Sequence, residues 1–282
     1  MHESPIADSR SSTIRPGGIV SISRFAPSPT GRLHLGHAFS AVTGRAAGAQ
    51  FLLRIEDLDA GRCRPEFVDG IYDDLRWLGI KWDGEPVVQS QRSAAYAAAL
   101  DDLRARGLVY PCYCTRADIA AALSAPHGES ASYPGTCRGL ADDPARRAGA
   151  AHSWRLDGAK AVTVTGSDMA VDDVIVARKD APAAYHLACV VDDAASGVTL
   201  VVRGMDLLGS TPVQRLLQQL LGLPAPDYLH HPLVAHADGR RLAKRDLAPT
   251  LCAMRAAGVD GPALASDLAV GRLPLGFAFI SA

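Results

Sequence analysis

The stretch IVSISRFAPSPTGRLHLGHAFSAVTGRAAGAQFLLRIEDLD, residues 19–59, contains three hydrophobic patterns in succession. Residues 19–27 form an apolar run typical of a buried strand, and the spacing from residue 33 to Gly48 is that of a helix. Residues 50–59 form a second apolar run that leads into acidic side chains. A strand, a helix and a strand in this order predict a βαβ unit with parallel strands.

The rest of the chain predicts further helices and strands around this unit. Apolar spacing indicates amphipathic helices at 65–80, 93–107 and 211–223. Strands are predicted at 153–158, 161–166 and 173–180, and two more within 183–204, while residues 109–115 are predicted to form a short strand or a turn. Residues 115–150 are rich in Ala, Pro, Gly and Ser and indicate an insertion. We therefore expect an α/β nucleotide-binding fold with a parallel sheet and an insertion.

Charge and composition exclude several classes of protein. The formal net charge of the 282 residues is −1, so any RNA binding must use a local basic patch. No apolar run has the ~20 residues that a membrane helix needs. Residues 1–18 contain no apolar signal segment and have the composition of a disordered tail. We expect a cytoplasmic protein that does not enter a membrane.

Two histidines, His34 and His37, stand at the predicted start of the first helix. In a parallel sheet, ligands bind beyond the carboxyl ends of the strands, where free helix N–H groups favour phosphate. Residues three apart share one helix face, and Gly36 between them lets a flat base or ribose approach the backbone. The pattern taken alone fits equally well two histidines that contact no ligand. A zinc pair is less favoured, because no third ligand follows at the usual spacing.

Three cysteines, Cys112, Cys114 and Cys137, lie within twenty-six positions of one another. In a cytoplasmic chain this clustering indicates structural Zn²⁺ rather than disulfides. A fourth ligand is then required, and His127 is the usual chemical choice. The alternative is that the three cysteines hold no metal.

The motifs RFAPSPTGRLHLGH and LLRIEDLD resemble the signatures of class I aminoacyl-tRNA synthetases of the glutamyl branch. Residues 185–217 resemble the second Rossmann half of that family, and GRRLAKRD at 239–246 stands where its KMSKS loop belongs. The resemblance covers roughly residues 19–250, with four elements in the family's order. It implies a Rossmann-type catalytic domain at 19–111 and 185–230 and an inserted zinc-binding and acceptor subdomain at 112–184. The KMSKS-like loop and a short helical C-terminal region would occupy 231–282.

The resemblance implies that the enzyme activates glutamate with ATP and Mg²⁺ to form an aminoacyl adenylate. The residues that it implies for ATP binding are His34, Gly36, His37 and Lys244, of which the histidines and Lys244 are catalytic. For glutamate it implies Arg24 and Arg203 as carboxylate partners, Glu56 for the α-ammonium group, a hydroxyl from Tyr185, and the segment Arg24, Phe25, Ala26, Pro27 and Ser28 around the substrate. Guanidinium groups suit this task because their planar fork binds both carboxylate oxygens.

Two positions depart from the family's pattern. Arg241 replaces the first lysine of the KMSKS loop and Ala243 replaces its serine, so one possible hydrogen bond is lost while the charge is kept.

At the metal site the family implies Tyr133, in place of His127, beside Cys112, Cys114 and Cys137. A phenol has a pKa of ~10, so zinc would have to favour its deprotonated form.

Few residues follow the KMSKS-like loop, which leads us to expect that the anticodon-binding region of a full glutamyl-tRNA synthetase is missing. A short, zinc-bearing glutamyl-like core resembles the branch of this family that attaches glutamate to queuosine in the anticodon loop of tRNA(Asp). We expect such an enzyme to act as a monomer. Two alternatives stay open: a glutamyl-tRNA ligase without its anticodon domain, and a non-catalytic paralogue that binds RNA or senses glutamate.

Overall fold

The computed structural model describes residues 20–115, 117–119, 133–140, 143–242 and 249–281, and the tail expected at 1–18 lies outside them. In chain order the strands are β1 (Ile22–Phe25), β2 (Gln50–Ile55), β3 (Val87–Val88), β4 (Val109–Cys112), β5 (Ser153–Leu156), β6 (Ile175–Ala177), β7 (Leu200–Gly204), β8 (Asp227–His231), β9 (Leu233–His236) and β10 (Phe277–Ile280). The helices are α1 (Leu35–Ala47), α2 (Pro65–Trp77), α3 (Ser93–Ala105), α4 (Pro144–Gly149), α5 (Gly158–Thr165), α6 (Tyr185–Ala195), α7 (Thr211–Leu220), α8 (Leu251–Ala256) and α9 (Gly261–Ala269).

The chain divides into two compact units. The first contains the described parts of residues 1–90, 197–208 and 226–282. The second contains those of residues 91–196 and 209–225.

Parallel strands form the centre of the first unit. β1 pairs with β2 and β2 with β3, all in parallel, and β7 pairs in parallel with β8. β1 also contacts the residue before β7, because the Ile22 N–H donates to Thr199 Oγ1 at 2.9 Å and the Thr199 N–H donates to the Ile22 carbonyl at 3.0 Å. The predicted βαβ unit and the α/β fold with parallel strands are confirmed.

Helix α1 packs on these strands through fully buried side chains. Leu35 and Phe39 of the helix belong to the same core as Phe51 and Leu53 of β2. Burying each such side chain contributes roughly 1.5–3 kcal/mol, so this core fixes the direction in which α1 leaves β1. The first turn of α1 is thereby held beyond the carboxyl end of β1.

The second unit combines an antiparallel sheet with helices. β4, β5 and β6 pair in that order, with Cys112 at the end of β4 opposite Ser153 of β5. Helices α3 and α6 are joined by the buried carboxylate of Asp192, which accepts hydrogen bonds from Arg92 Nε and, at 2.8 Å, from the Tyr96 hydroxyl. This pairing explains how α6 buries a charged residue.

Two predicted strands are wrong. Residues 161–166 belong largely to helix α5, and the first strand predicted within 183–204 is helix α6. The other predicted helices, and the strands at β4, β5, β6 and β7, are present. The predicted helical C-terminal region contains α8 and α9 and also the unpredicted strand β10, which pairs antiparallel with β9. Among the described residues no helix is both long and apolar enough to cross a lipid bilayer.

Candidate functional site

The two histidines cap the first helix reciprocally. His34 is the N-cap of α1, and its Nδ1 accepts a hydrogen bond from the Gly36 N–H at 3.2 Å. His37, three residues later, accepts one from the His34 N–H through its own Nδ1, also at 3.2 Å. The ring centroids lie 3.8 Å apart. Helix N-termini leave N–H groups without intrahelical partners, and here imidazole nitrogens satisfy two of them.

This capping determines which nitrogen of each ring carries the proton. A neutral imidazole has one donor and one acceptor nitrogen, and Nδ1 is the acceptor in both His34 and His37. Each ring therefore carries its proton on Nε2. Gly36 makes room for this arrangement, because a Cβ at position 36 would lie 3.1 Å from Cε1 of His34.

Lys244 and Ala243 lie outside the described residues, but both flanks of their segment are described. On one side Arg241 forms a bridge with Ala235 of β9, and Leu242 packs against the core that contains α1. On the other side Thr250 bridges His34, and the Leu251 N–H donates to the Leu33 carbonyl at 2.9 Å. The chain therefore leaves and re-enters the described structure beside the start of α1.

The two arginines expected to bind carboxylates are both buried in the first unit. Arg24 in β1 is 6% exposed, and its Nη1 donates to the Val202 carbonyl in β7 at 3.2 Å. Arg203, the next residue of β7, is 4% exposed. Its Nε donates to His230 Nε2 at 3.2 Å, and its guanidinium lies 5.0 Å from the centroid of the Tyr228 ring. Burial and the nearby Arg203 charge lower the pKa of His230, which keeps this histidine a neutral acceptor.

Glu56 follows β2 and has a partner that we did not predict. Its carboxylate pairs with buried Arg54, at 3.0 Å from Nη2. The Glu56 N–H also donates to the Pro27 carbonyl at 3.0 Å, which ties the end of β2 to the segment of residues 24–28. In that segment Phe25 and Pro27 are buried and Ser28 is exposed. The strand period could have revealed Arg54, since residues two apart point to one face.

Tyr185 belongs to the second unit, unlike the other residues expected to bind glutamate. It is half-buried at the first position of α6, and its ring lies 5.3 Å from that of His186.

The three clustered cysteines also meet in the second unit. The Sγ atoms of Cys112, Cys114 and Cys137 all lie within 4.8 Å of one another, and those of Cys114 and Cys137 are 3.5 Å apart. The Tyr133 hydroxyl oxygen is 3.4 Å from the sulfur atoms of both Cys112 and Cys114. It accepts a hydrogen bond from the Cys137 N–H at 3.0 Å. His127 lies outside the described residues.

This donor set fits a tetrahedral zinc ion. With Zn–S bonds of ~2.3 Å and a Zn–O bond of ~2.0 Å, tetrahedral geometry places two sulfur atoms about 3.8 Å apart and sulfur and oxygen about 3.5 Å apart. The observed separations of 3.5 and 3.4 Å are close to both values.

Without a metal ion the environment favours protonated side chains at two of these positions. Burial raises the pKa of Cys114 to about 11. Burial and the hydrogen bond with Cys112 also raise the pKa of Tyr133 above its usual range. Burial acts in the same direction on Cys137, but hydrogen bonds, first from the Tyr113 backbone, outweigh it and lower that pKa.

Comparison with known proteins identifies the family. Residues 21–273 match the model of the catalytic domain of tRNA synthetases class I (E and Q). A relative from Rhodobacter capsulatus is 46% identical over 267 residues, which are 85% of this chain and 96% of the relative. One from Nocardia farcinica is 49% identical over 266 residues, 90% of this chain and 83% of the relative. Both are named glutamyl-Q tRNA(Asp) synthetase.

A solved structure agrees with this family. The glutamate tRNA ligase from Elizabethkingia meningosepticum, in complex with its amino acid, superposes with a TM-score of 0.67 at 25% identity. The match covers 80% of this chain and 52% of that one, so the chain spans about half the length of the solved ligase. The fold is therefore the class I synthetase α/β fold. The chain belongs to the class I tRNA synthetases (E and Q), a family of ligases, and within it to the glutamyl-Q tRNA(Asp) synthetases.

Proposed function

We propose that the chain activates L-glutamate with ATP and transfers the glutamyl group to queuosine in the anticodon loop of tRNA(Asp). The observation that carries the activation step is the pair of buried guanidinium groups of Arg24 and Arg203 on neighbouring strands. A guanidinium binds both oxygens of a carboxylate through its planar fork, and such charge-assisted pairs are strong. Two such cations suit a substrate with two carboxylates, which glutamate is.

In the proposed reaction an α-carboxylate oxygen of glutamate attacks the α-phosphorus of ATP, and pyrophosphate leaves. No protein nucleophile is needed, because catalysis consists of positioning and of stabilising phosphate charge. We assign the Nε2–H groups of His34 and His37 to donate to phosphate oxygens, since their Nδ1 atoms accept from backbone N–H groups at the start of α1. Lys244 would add a positive charge to the same phosphates. Mg²⁺, when bound with ATP, neutralises part of the phosphate charge.

The remaining glutamate contacts follow from the ends of β1 and β2. We assign the α-ammonium group to Glu56, whose carboxylate can accept from the substrate while Arg54 holds its orientation. The segment Arg24–Ser28 is assigned to surround the substrate, since its Pro27 carbonyl is tied to Glu56. Tyr185 is assigned to donate its hydroxyl.

Activation is tested by glutamate-dependent ATP–pyrophosphate exchange without tRNA. We expect exchange with L-glutamate alone, and much less with aspartate or glutamine. Either analogue leaves an arginine partly unpaired in the pocket, which costs roughly 1–3 kcal/mol or more. Exchange that appears only after tRNA is added contradicts the proposal. Absence of exchange under both conditions favours the non-catalytic paralogue, which the replacements at Arg241 and Ala243 motivate.

We also propose that Cys112, Cys114, Tyr133 and Cys137 hold one structural Zn²⁺ in the proposed inserted subdomain, residues 112–184. The agreement of the sulfur and oxygen separations with tetrahedral coordination supports this assignment. A bound ion would join the end of β4 to the segment that carries Tyr133 and Cys137, which lie more than twenty positions later.

Metal analysis of freshly purified protein is expected to find one Zn²⁺ per chain. Tyr133→Phe removes one of the four proposed zinc ligands. It is expected to lower the affinity for zinc by more than the ~10–100-fold that is typical when a contact supporting a ligand is lost. Affinity is measured by competition with a chromogenic chelator, and His127→Ala is the matched control, expected to leave it unchanged. If His127→Ala releases zinc and Tyr133→Phe does not, the fourth ligand is His127. If freshly purified protein contains no zinc, the proposed site is overturned.

The partners proposed with this function are L-glutamate, ATP and tRNA(Asp). A monomer with a cytoplasmic location is part of the same proposal, because a tRNA ligase works where its tRNA is present. The segment GRRLAKR, residues 239–245, is the basic patch that we propose for RNA, and its described arginines, Arg240 and Arg241, are exposed. The second candidate is an ordinary glutamyl-tRNA ligase, which the similarity to a solved glutamate tRNA ligase motivates.

A further inference from the structure

A buried arginine, Arg155 of β5, contacts the cluster formed by Cys112, Cys114, Cys137 and Tyr133. It is 6% exposed, and its Nε donates to Cys112 Sγ at 3.3 Å. Its Cζ atom lies 3.7 Å from the centroid of the Tyr133 ring, so the guanidinium covers the face of that phenol. One side chain thus contacts two of the four groups that we assign to zinc.

The other contacts of Arg155 leave its positive charge without a carboxylate. Its Nη1 donates to the backbone carbonyl of Asp173 at 2.6 Å. The carboxylate of Asp173 serves other donors, namely the Tyr110 hydroxyl, Arg138 Nε at 2.7 Å and the Gly158 N–H at 3.0 Å. Among the described residues no carboxylate oxygen lies within 4.0 Å of the Arg155 guanidinium, although most buried charges are paired.

A zinc site built from three thiolates supplies the missing negative charge. Three thiolates around Zn²⁺ have a net charge of −1, and a phenolate as fourth ligand makes it −2. The Arg155 guanidinium lies at hydrogen-bond distance from one sulfur and on the face of the phenol. Its positive charge offsets the excess negative charge of the ligands at a buried position, where water screens charge poorly. Groups that form hydrogen bonds with metal ligands also fix the direction in which the donor atoms point.

We propose that Arg155 is a positioning residue of the zinc site: it orients Cys112 and compensates the negative charge of the ligand set. The inference rests on the proposed zinc site and adds a residue to it. The backbone carbonyl of Asp173 holds one end of the guanidinium, while the carboxylate of Asp173 binds Arg138, the neighbour of Cys137. Asp173 is therefore linked to Cys112 through Arg155 and to the segment of Cys137 through Arg138.

The test uses the full chain with Arg155→Met, Arg155→Lys and, as a matched control, Arg178→Met. Arg178 follows β6 in the same sheet and pairs with Asp180 at 2.8 Å, far along the chain from the cysteines. Zinc affinity is measured by chelator competition, and Co²⁺ replaces zinc for absorption spectroscopy. We expect Arg155→Met to bind zinc 10–100-fold more weakly, Arg155→Lys to recover part of the loss, and Arg178→Met to match the wild type.

The Co²⁺ spectrum separates positioning from a general loss of stability. Removing a hydrogen bond from the Cys112 sulfur raises the energy of its lone pair, so the sulfur-to-cobalt band is expected to move to longer wavelength in Arg155→Met. If that variant does not fold, the same shift and weaker binding are required of Arg155→Lys. Zinc affinities within twofold of the wild type and an unmoved band overturn the role of Arg155 while the zinc site stands. A wild type that binds neither metal overturns both proposals.

Discussion

Replacing His34 by asparagine is expected to slow glutamate-dependent ATP–pyrophosphate exchange on the order of 10²–10³-fold while the chain stays folded. The imidazole has two separable tasks in the structure. Its Nδ1 caps α1 by accepting from the Gly36 N–H, and its Nε2–H is the donor proposed for a phosphate oxygen. Asparagine is among the best N-cap residues, so it keeps the first task and loses the second. Loss of one donor to a developing oxyanion costs roughly 2.7–4 kcal/mol in the transition state.

His34→Ala distinguishes the two tasks, because alanine removes the cap as well. We expect the same loss of exchange, together with a fall of ~1 kcal/mol in the free energy of unfolding measured with urea. Asp260→Ala is the matched control: Asp260 caps α9 by accepting from the Ala263 N–H at 2.8 Å, and its loss is expected to cost similar stability without slowing exchange. Near-normal exchange in His34→Asn would show that His34 serves only as a cap.

The parts of the fold that the sequence predicts correctly are those where local pattern and tertiary packing agree. The run of residues 50–55 becomes β2 because its apolar side chains, Phe51, Leu53 and Ile55, are all buried beneath the helices of the first unit. The helix of residues 33–48 ends as expected near Gly48, where a Cβ would lie 2.4 Å from the hydroxyl oxygen of Ser23. Only glycine fits that contact.

The segment AVTVTG, residues 161–166, shows where pattern and structure disagree. Its β-branched residues favour a strand, yet it lies in α5. The ends of this helix decide its conformation: Asp157 Oδ1 accepts from the Lys160 N–H at 3.0 Å, and Gly166 closes the helix with a φ of 66°. Inside it, the Thr163 hydroxyl donates to the Ala159 carbonyl at 2.9 Å. The capping residues Asp157 and Gly166 are visible in the sequence, and in the folded chain they outweigh the strand preference of the β-branched residues between them.

Helix α6 was predicted as a strand for a different reason. Its sequence, YHLACVVDDAA, begins with an apolar run, and short apolar runs do not distinguish strands from buried helices. Burial of Asp192 depends on Arg92 and Tyr96, which lie about a hundred positions earlier in the chain. The same limit applies to the candidate site, where His230 and Arg155 belong to no motif and are recognised only by their contacts.

Radiolabelled glutamate is expected to be transferred to tRNA(Asp) that contains queuosine, and labelling of matched tRNA(Asp) with guanosine at that position is expected to fall to background. In the transfer step a hydroxyl oxygen of the acceptor attacks the acyl carbon of the adenylate, and AMP leaves. Queuosine adds hydroxyl groups that guanosine lacks, so its replacement removes the nucleophile rather than one contact among many. An unpaired anticodon loop also exposes its nucleosides to a protein pocket, which a duplex does not.

The 3′-terminal hydroxyl of tRNA is the competing acceptor. A tRNA without its 3′-terminal adenosine distinguishes transfer to queuosine from transfer to that hydroxyl. tRNA(Asp) that has lost its 3′-terminal adenosine but keeps queuosine is expected to be labelled as well as the intact molecule, whereas an ordinary ligase would no longer label it. tRNA(Glu) serves as the second control and is expected to stay unlabelled. Because the chain has a net charge of −1 and offers RNA only a local basic patch, transfer is expected to weaken as salt rises, with a slope set by few phosphate contacts. Equal labelling of tRNA(Asp) with and without queuosine, or labelling that disappears with the 3′-terminal adenosine, would assign the chain to the ordinary ligases and leave its glutamate activation unaffected.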